Sequence, residues 1–252
     1  MIAPALHTNP RRALGGFDVI FVDLAAAAPV LEQTEHETPR LSDDDHARLE
    51  KFGTRDADRR AWRAARIATR IALERWAGPP FRRVPFAIAP DGRPHMPGGA
   101  PVFSLSHCDR AALIAIAPSG PIGADIEAAR PLRVSAARAD RVTAAASALS
   151  PLQDLPGHPA ARFLQSWVRL EALAKANGSG IGRTLTDAGI IGGGKPHALT
   201  ASSAIDAAPL NVRDCTVGVG FYAAISASAL PEPIMVSAFP DNAAALEQFL
   251  RT

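Results

Sequence analysis

Two periods of apolar and polar positions run along this chain, and the switches between them mark its elements. FDVIFVDL (residues 17–24) is short, β-branched and aromatic, and predicts a strand. LSDDDHARLEKF (41–52) predicts a helix with Ser42 as N-cap and three aspartates in the first turn, where the helix dipole favours acids. DADRRAWRAARIATRIALERWAG (56–78) carries the longest helical pattern, stopped by Gly78-Pro79-Pro80. A strand-like VPFAIAP and the turn DGRPHMPGG follow. VFSLSH (102–107) and AALIAIA (111–117) predict two strands around the polar turn CDR, and IGADIE (122–127) a third extended piece. Residues 135–175 read mostly as helix, interrupted by SPLQDLPGHP, and GRTLTDAGII, PLNVRDCTVGV and FYAAISAS read as β-like. Strands and helices mix without regular βαβ alternation, so the pattern predicts an α+β fold.

Composition narrows this picture. A chain of 252 residues with 47% hydrophobic content can bury a full core, as one large domain or two smaller ones. A net charge of +2 gives no reason to expect a nucleic-acid partner or a polybasic membrane anchor. The N-terminal MIAPALHTNPRRALGG lacks a continuous apolar core, and no stretch reaches the roughly 20 apolar residues of a membrane span. Two cysteines, Cys108 and Cys215, make neither a disulfide framework nor a zinc site, so a reduced, cytoplasmic setting is expected.

Three groups of residues carry candidate chemistry. In an extended IGADIE, Asp125 and Glu127 point to one face and Ile126 to the other. Neighbouring carboxylates repel unless a positive charge lies between them, and oxygen-only ligands suit Mg²⁺, or Mn²⁺, rather than zinc. Two surface acids at a solvated strand end are the plainer alternative. In FLQSWVRLEALAKANGSGIG (163–182), Phe163, Trp167, Leu170 and Ala174 form an apolar stripe at helical spacing. Leu164, Val168, Glu171 and Lys175 form the adjacent one. Glu171 and Lys175 are therefore i, i+4 neighbours at the edge of the buried face, before a glycine-rich loop; an exposed ion pair is the alternative. Arg59, Arg63, Arg66 and Arg70 make a basic stripe, either a solvated face or a phosphate contact. Ser106 and His107 are adjacent in a strand and point apart, so they are not a nucleophile–base pair. GGGKP (192–196) lacks the spacing of a P-loop.

Taken in order, these pieces resemble the Sfp-type 4′-phosphopantetheinyl transferases over roughly residues 41–228. LSDDDHARLEKF resembles the early helix of that family, AARIATR its arginine-bearing helix, and DGRP its Gly-Lys-Pro turn. VFSLSH resembles its Ser-His strand, and IGADIE its Gly-x-Asp-x-Glu metal motif. WVRLEALAKANGSGIG resembles its Trp-x-x-Lys-Glu-x-x-x-Lys helix, and FYAAISAS its final strand. The resemblance implies two similar α+β subdomains in a pseudo-two-fold arrangement, residues 1–119 on the coenzyme A 3′-phosphate side and 120–252 with the metal site and catalytic helix. It implies Mg²⁺-dependent transfer of 4′-phosphopantetheine from coenzyme A to a serine of an acyl or peptidyl carrier protein, with release of 3′,5′-ADP. A non-catalytic member that binds coenzyme A or a carrier protein is the alternative.

Within that resemblance, Asp125, Glu127 and Glu171 are the expected metal ligands, and Glu171 also the base. Lys175 is expected on the phosphates and the leaving oxygen. Arg48, Arg66, Arg93, Ser106 and His107 are expected to bind coenzyme A, with Arg66 alternatively bracing the fold. The family's Lys-Glu pair is Leu170-Glu171 here, on a stripe where an apolar residue fits. A carrier-docking loop is expected over residues 152–159, and a monomer, without nucleic-acid or membrane partners.

Overall fold

The computed structural model describes residues 16–90, 92–149, 155–192 and 209–251. The elements run β1 (Asp18–Asp23), α1 (Leu24–Glu37), α2 (Asp43–Glu50), α3 (Asp56–Ala77), β2 (Ala87–Ile88), β3 (Pro94–His95), β4 (Val102–His107) and β5 (Ala111–Ala117). They continue with β6 (Ile122–Ala128), α4 (Ala136–Leu149), α5 (Pro159–Asn177), α6 (Ile181–Asp187), β7 (Asn211–Asp214), β8 (Phe221–Ala227), β9 (Val236–Ala238) and α7 (Ala243–Arg251). The fold is α+β. Among the described residues no helix is long and apolar enough to cross a membrane.

The chain divides into two compact units, one ending at Ser119 and resuming at Ser237, the other spanning Gly120–Val236. Residues 237–251 therefore pack with the first unit, whereas the resemblance implied that all of 120–252 belongs to the second. The cause is apolar. Phe239 and Leu246 are buried in the core of the first unit with Ile20, Ile67 and Ile114, and the Phe239 N–H donates to Phe21 O at 2.8 Å. Arg75 on α3 lies over the Phe249 ring at 4.4 Å.

In the first unit the sheet order is β4-β5-β1-β9. The central β5 is buried along its whole length and pairs antiparallel with β1 and β4. α3 covers this sheet with a continuous apolar face that includes Ile67, Ile71 and Trp76. α2 begins with a capping box in which Ser42 and Asp45 bond each other's backbone N–H. In the second unit the order is β6-β8-β7, again antiparallel, and α5 packs on all three strands. In each unit a first strand and helices precede an antiparallel pair whose second strand is central in the sheet, β4–β5 in one and β7–β8 in the other; the first unit adds the β2–β3 hairpin and β9.

Several segments depart from the sequence pattern. GRTLTDAGII forms α6 rather than a strand: Thr184 and Leu185 are buried, and the Thr184 and Thr186 hydroxyls donate to carbonyls four residues back. VPFAIAP contributes only the two-residue β2, and PLNVRDCTVGV only β7. α1 follows β1 directly because the Asp23 carboxylate accepts the Ala25 and Ala26 N–H groups.

A buried ion pair fastens α5 to its sheet. Arg169, fully buried, meets both Asp214 oxygens at 2.7 and 2.6 Å, and Gln165 donates to the same carboxylate and to Ala223 O. Asp214→Ala removes this carboxylate from a buried guanidinium and is expected to cost about 3–5 kcal/mol. Denaturant unfolding measures it; a loss below about 1 kcal/mol would contradict this account of the α5–β7 junction.

Candidate active site

The two acids of IGADIE stand where β6 runs against α5. Gly123, Asp125 and Glu127 share one strand face. At Gly123 the helix backbone is so close that a Cβ would lie 1.9 Å from Ala172 O and 2.6 Å from Ala176 N. The glycine is required by space, and it lets residues 171–175 of α5 approach Asp125. Lys175 Nζ donates to Asp125 Oδ1 at 2.7 Å and to Ala124 O at 3.0 Å. Glu127 Oε2 pairs with Arg130 Nη2 at 3.1 Å. α5 ends just beyond, at Gly178 in the left-handed region with φ 69°, so Lys175 lies in its last turn.

Glu171 is the third acid of this cluster. Its carboxyl is pushed up to about 7, first by burial and then by the charge of Asp125, with Glu127 adding to the shift and Lys175 opposing it. Burial likewise raises Glu127, against the pull of Arg130 and with a further push from Asp125. Three carboxylates thus share one electrostatic environment. Among the described residues no three acidic, histidine or cysteine side chains are gathered closely enough to hold a metal ion as they stand. Asp125 and Glu127 are turned instead toward Lys175 and Arg130. The donor set still fits a hard divalent cation, since every candidate ligand is a carboxylate and the acids repel one another.

The raised Glu171 carboxyl has a pH consequence. The fold binds this proton more tightly than the unfolded chain does, so the group's contribution to stability falls as pH rises. The fall begins near the ordinary value of 4.5 and is complete above about 7. In metal-free buffer the wild type should lose stability relative to Glu171→Gln across that interval. Parallel unfolding curves for the two proteins from about pH 5 to 8 would contradict the assigned environment.

Leu170, where the resemblance has a lysine, is fully buried with Phe163, Leu164, Val142 and Leu185. It is a core residue, as its stripe predicted, and Trp167 stacks on Phe163 beside it.

The other candidate residues belong to the first unit. The arginine stripe is graded rather than uniformly solvated. Arg59 and Arg63 pair with Asp56 and Glu32, at 3.6 and 2.7 Å. Arg70 is buried on Asp45, Ser42 Oγ and Val84 O. Arg66 shares Asp45 at 3.4 Å and lies over the Trp62 and Phe86 rings at 4.8 and 5.1 Å. Its Nε and Nη1 are buried without a hydrogen-bond partner. Its guanidinium is lowered to about 10 by burial, with Arg70 and the exposed Arg48 adding to the shift against Asp45. Arg48 thus lies near enough to Arg66 to repel its charge, while Arg66 and Arg70 share Asp45. Phe86 also packs against Phe103 of β4, the rings tilted at 46° with 5.0 Å between centroids. Ser106 and His107 end that strand, Ser106 buried and His107 exposed. Arg93 sits in the β2–β3 turn, where its carbonyl accepts the Ala89 N–H at 2.9 Å.

Neither protein-family models nor curated proteins give a match to this sequence. Of the expected docking loop, residues 152–154 lie outside the described residues, as does 193–196 of GGGKP. Three participants were not foreseen from the sequence: Gly123 as a contact point, Arg130 as a partner of Glu127, and the Arg169–Asp214 pair. Two left a sequence signal: Gly123 is the glycine of the Gly-x-Asp-x-Glu pattern, and Arg130 is an arginine three residues after an acid.

Proposed function

We propose that this chain is a 4′-phosphopantetheinyl transferase of the Sfp type, and that its acceptor is a serine of an acyl or peptidyl carrier protein. The observation that carries the reading is the convergence of Asp125, Glu127 and Glu171, from a strand and a separate helix, on one environment with Lys175 among them. A solvated strand end would not bury Asp125 against an ammonium, and an exposed helical ion pair would not raise Glu171.

Asp125, Glu127 and Glu171 would hold Mg²⁺, or Mn²⁺. When bound, the ion supplies neutralisation of the coenzyme's diphosphate charge. In the reaction the serine oxygen forms a bond to the pantetheine-bearing phosphorus while the bond to the bridging oxygen breaks, and 3′,5′-ADP leaves. Glu171 is assigned to accept the serine proton. Lys175 stabilises the negative charge on the departing oxygen. Arg48, Arg66, Arg93, Ser106 and His107 are assigned to the coenzyme, with Arg66 Nη1, a buried donor without a hydrogen-bond partner, supporting an anion contact beside the Asp45 ion pair made by Nε. The shared plan of the two units supports a pseudo-two-fold relation between them. A monomer in the cytoplasm, with coenzyme A as co-substrate, completes the reading.

Chromatography of 3′,5′-ADP tests it. Release should require an apo carrier protein, coenzyme A and a divalent cation together. Phosphate release without a carrier would point instead to a hydrolase. Coenzyme A binding with no 3′,5′-ADP from any carrier would favour the non-catalytic binding reading.

A further inference from the structure

The geometry points to Arg130 as a further positioning residue of the carboxylate cluster: its guanidinium is the internal counter-ion of Glu127 and weakens the cluster's hold on a divalent cation. The inference rests on the metal site proposed above. Arg130 follows β6, where the Ala129 N–H is fastened to Gly220 O at 2.8 Å, and it precedes Pro131, which restricts its backbone. The backbone is held, while the side chain is 44% exposed and meets Glu127 Oε2 through Nη2 at 3.1 Å. Asp125 has the matching partner in Lys175. The cluster therefore carries its own two cations against three carboxylates. An incoming metal ion must compete with Arg130 for Glu127 and is repelled by its charge.

Such an exposed i, i+3 pair contributes little to folding, so Arg130 can be changed without unfolding the unit. Removing its charge leaves the metal-free cluster with two uncompensated negative charges in place of one. At a separation of several ångströms in a largely aqueous environment this strengthens attraction for a divalent ion by about tenfold at low salt, and less as salt rises.

Calorimetric titration of Mn²⁺ into the metal-free protein at about pH 8 tests this with wild type, Arg130→Gln and Arg130→Lys. Arg130→Gln should bind Mn²⁺ about tenfold more tightly, with the gap closing at high salt, and Arg130→Lys should return to the wild-type affinity. A structural role alone would move neither value. Wild-type binding with an equal or weaker affinity in Arg130→Gln overturns the role given to Arg130 and leaves the metal site standing. Absence of Mn²⁺ binding in all three proteins overturns the metal site itself, and this inference with it.

Discussion

Glu171→Gln should lower the rate of phosphopantetheine transfer by about three orders of magnitude while the protein remains folded. The exchange keeps the size of the side chain and removes its charge and its capacity to accept a proton. It takes away one of three carboxylates from the proposed metal site and the group assigned as base. Burial and the charges of Asp125 and Glu127 already disfavour the ionised form of Glu171. In metal-free buffer the variant should therefore unfold at an equal or higher temperature than the wild type above about pH 7, the pattern of a residue kept for activity at the expense of stability. Turnover at saturating coenzyme A, carrier and Mg²⁺, measured with the unfolding midpoint, checks both. Activity within about tenfold of wild type would remove Glu171 from the mechanism.

Gly123→Ala should destabilise the second unit by about 3 kcal/mol or more, a large effect for one methyl group. A real side-chain carbon does not sit 1.9 Å from a carbonyl oxygen, and the obstruction at Ala172 and Ala176 is helix backbone, which cannot rotate aside. α5 must move off β6. That movement separates Lys175 from Asp125, so transfer should fall along with stability. Gly182→Ala is the control: nothing lies within 4 Å of its added Cβ, and within α6 alanine is the better helix former. Thermal unfolding of the two variants should diverge. Equal midpoints would show that β6 and α5 are not in the close contact described.

The elements legible in the sequence are those whose own pattern agrees with their surroundings. β1, β4, β5, β6 and β8 are short apolar runs in sheets, and α2, α3 and α5 have either a cap or a long amphipathic repeat. α6 departs from the sequence pattern because Thr184 and Thr186 favour extended chain locally, whereas burial of Leu185 beside Leu170 decides for a helix. The return of β9 and α7 to the first unit has no local signature. It depends on where Phe239 and Leu246 find apolar partners, more than a hundred residues away along the chain.

The carboxylate cluster was legible because strand and helix periods fix which side chains share a face. Asp125 with Glu127, and Glu171 with Lys175, follow from spacings of two and four. That the pairs meet is a tertiary fact, and it depends on Gly123, whose place in the Gly-x-Asp-x-Glu pattern is legible while its contact with α5 is not. The partner of Glu127 was partly legible, since Arg130 stands three residues after it, whereas the Arg169–Asp214 pair outside the cluster shows only once Asp214 is placed opposite α5.

The most direct test is the intact mass of a panel of apo carrier proteins after incubation with this protein, coenzyme A and Mg²⁺. At least one carrier should gain the mass of a single phosphopantetheine arm, and EDTA should abolish the gain. No gain on any carrier, from a folded protein that still binds coenzyme A, would contradict the transferase reading.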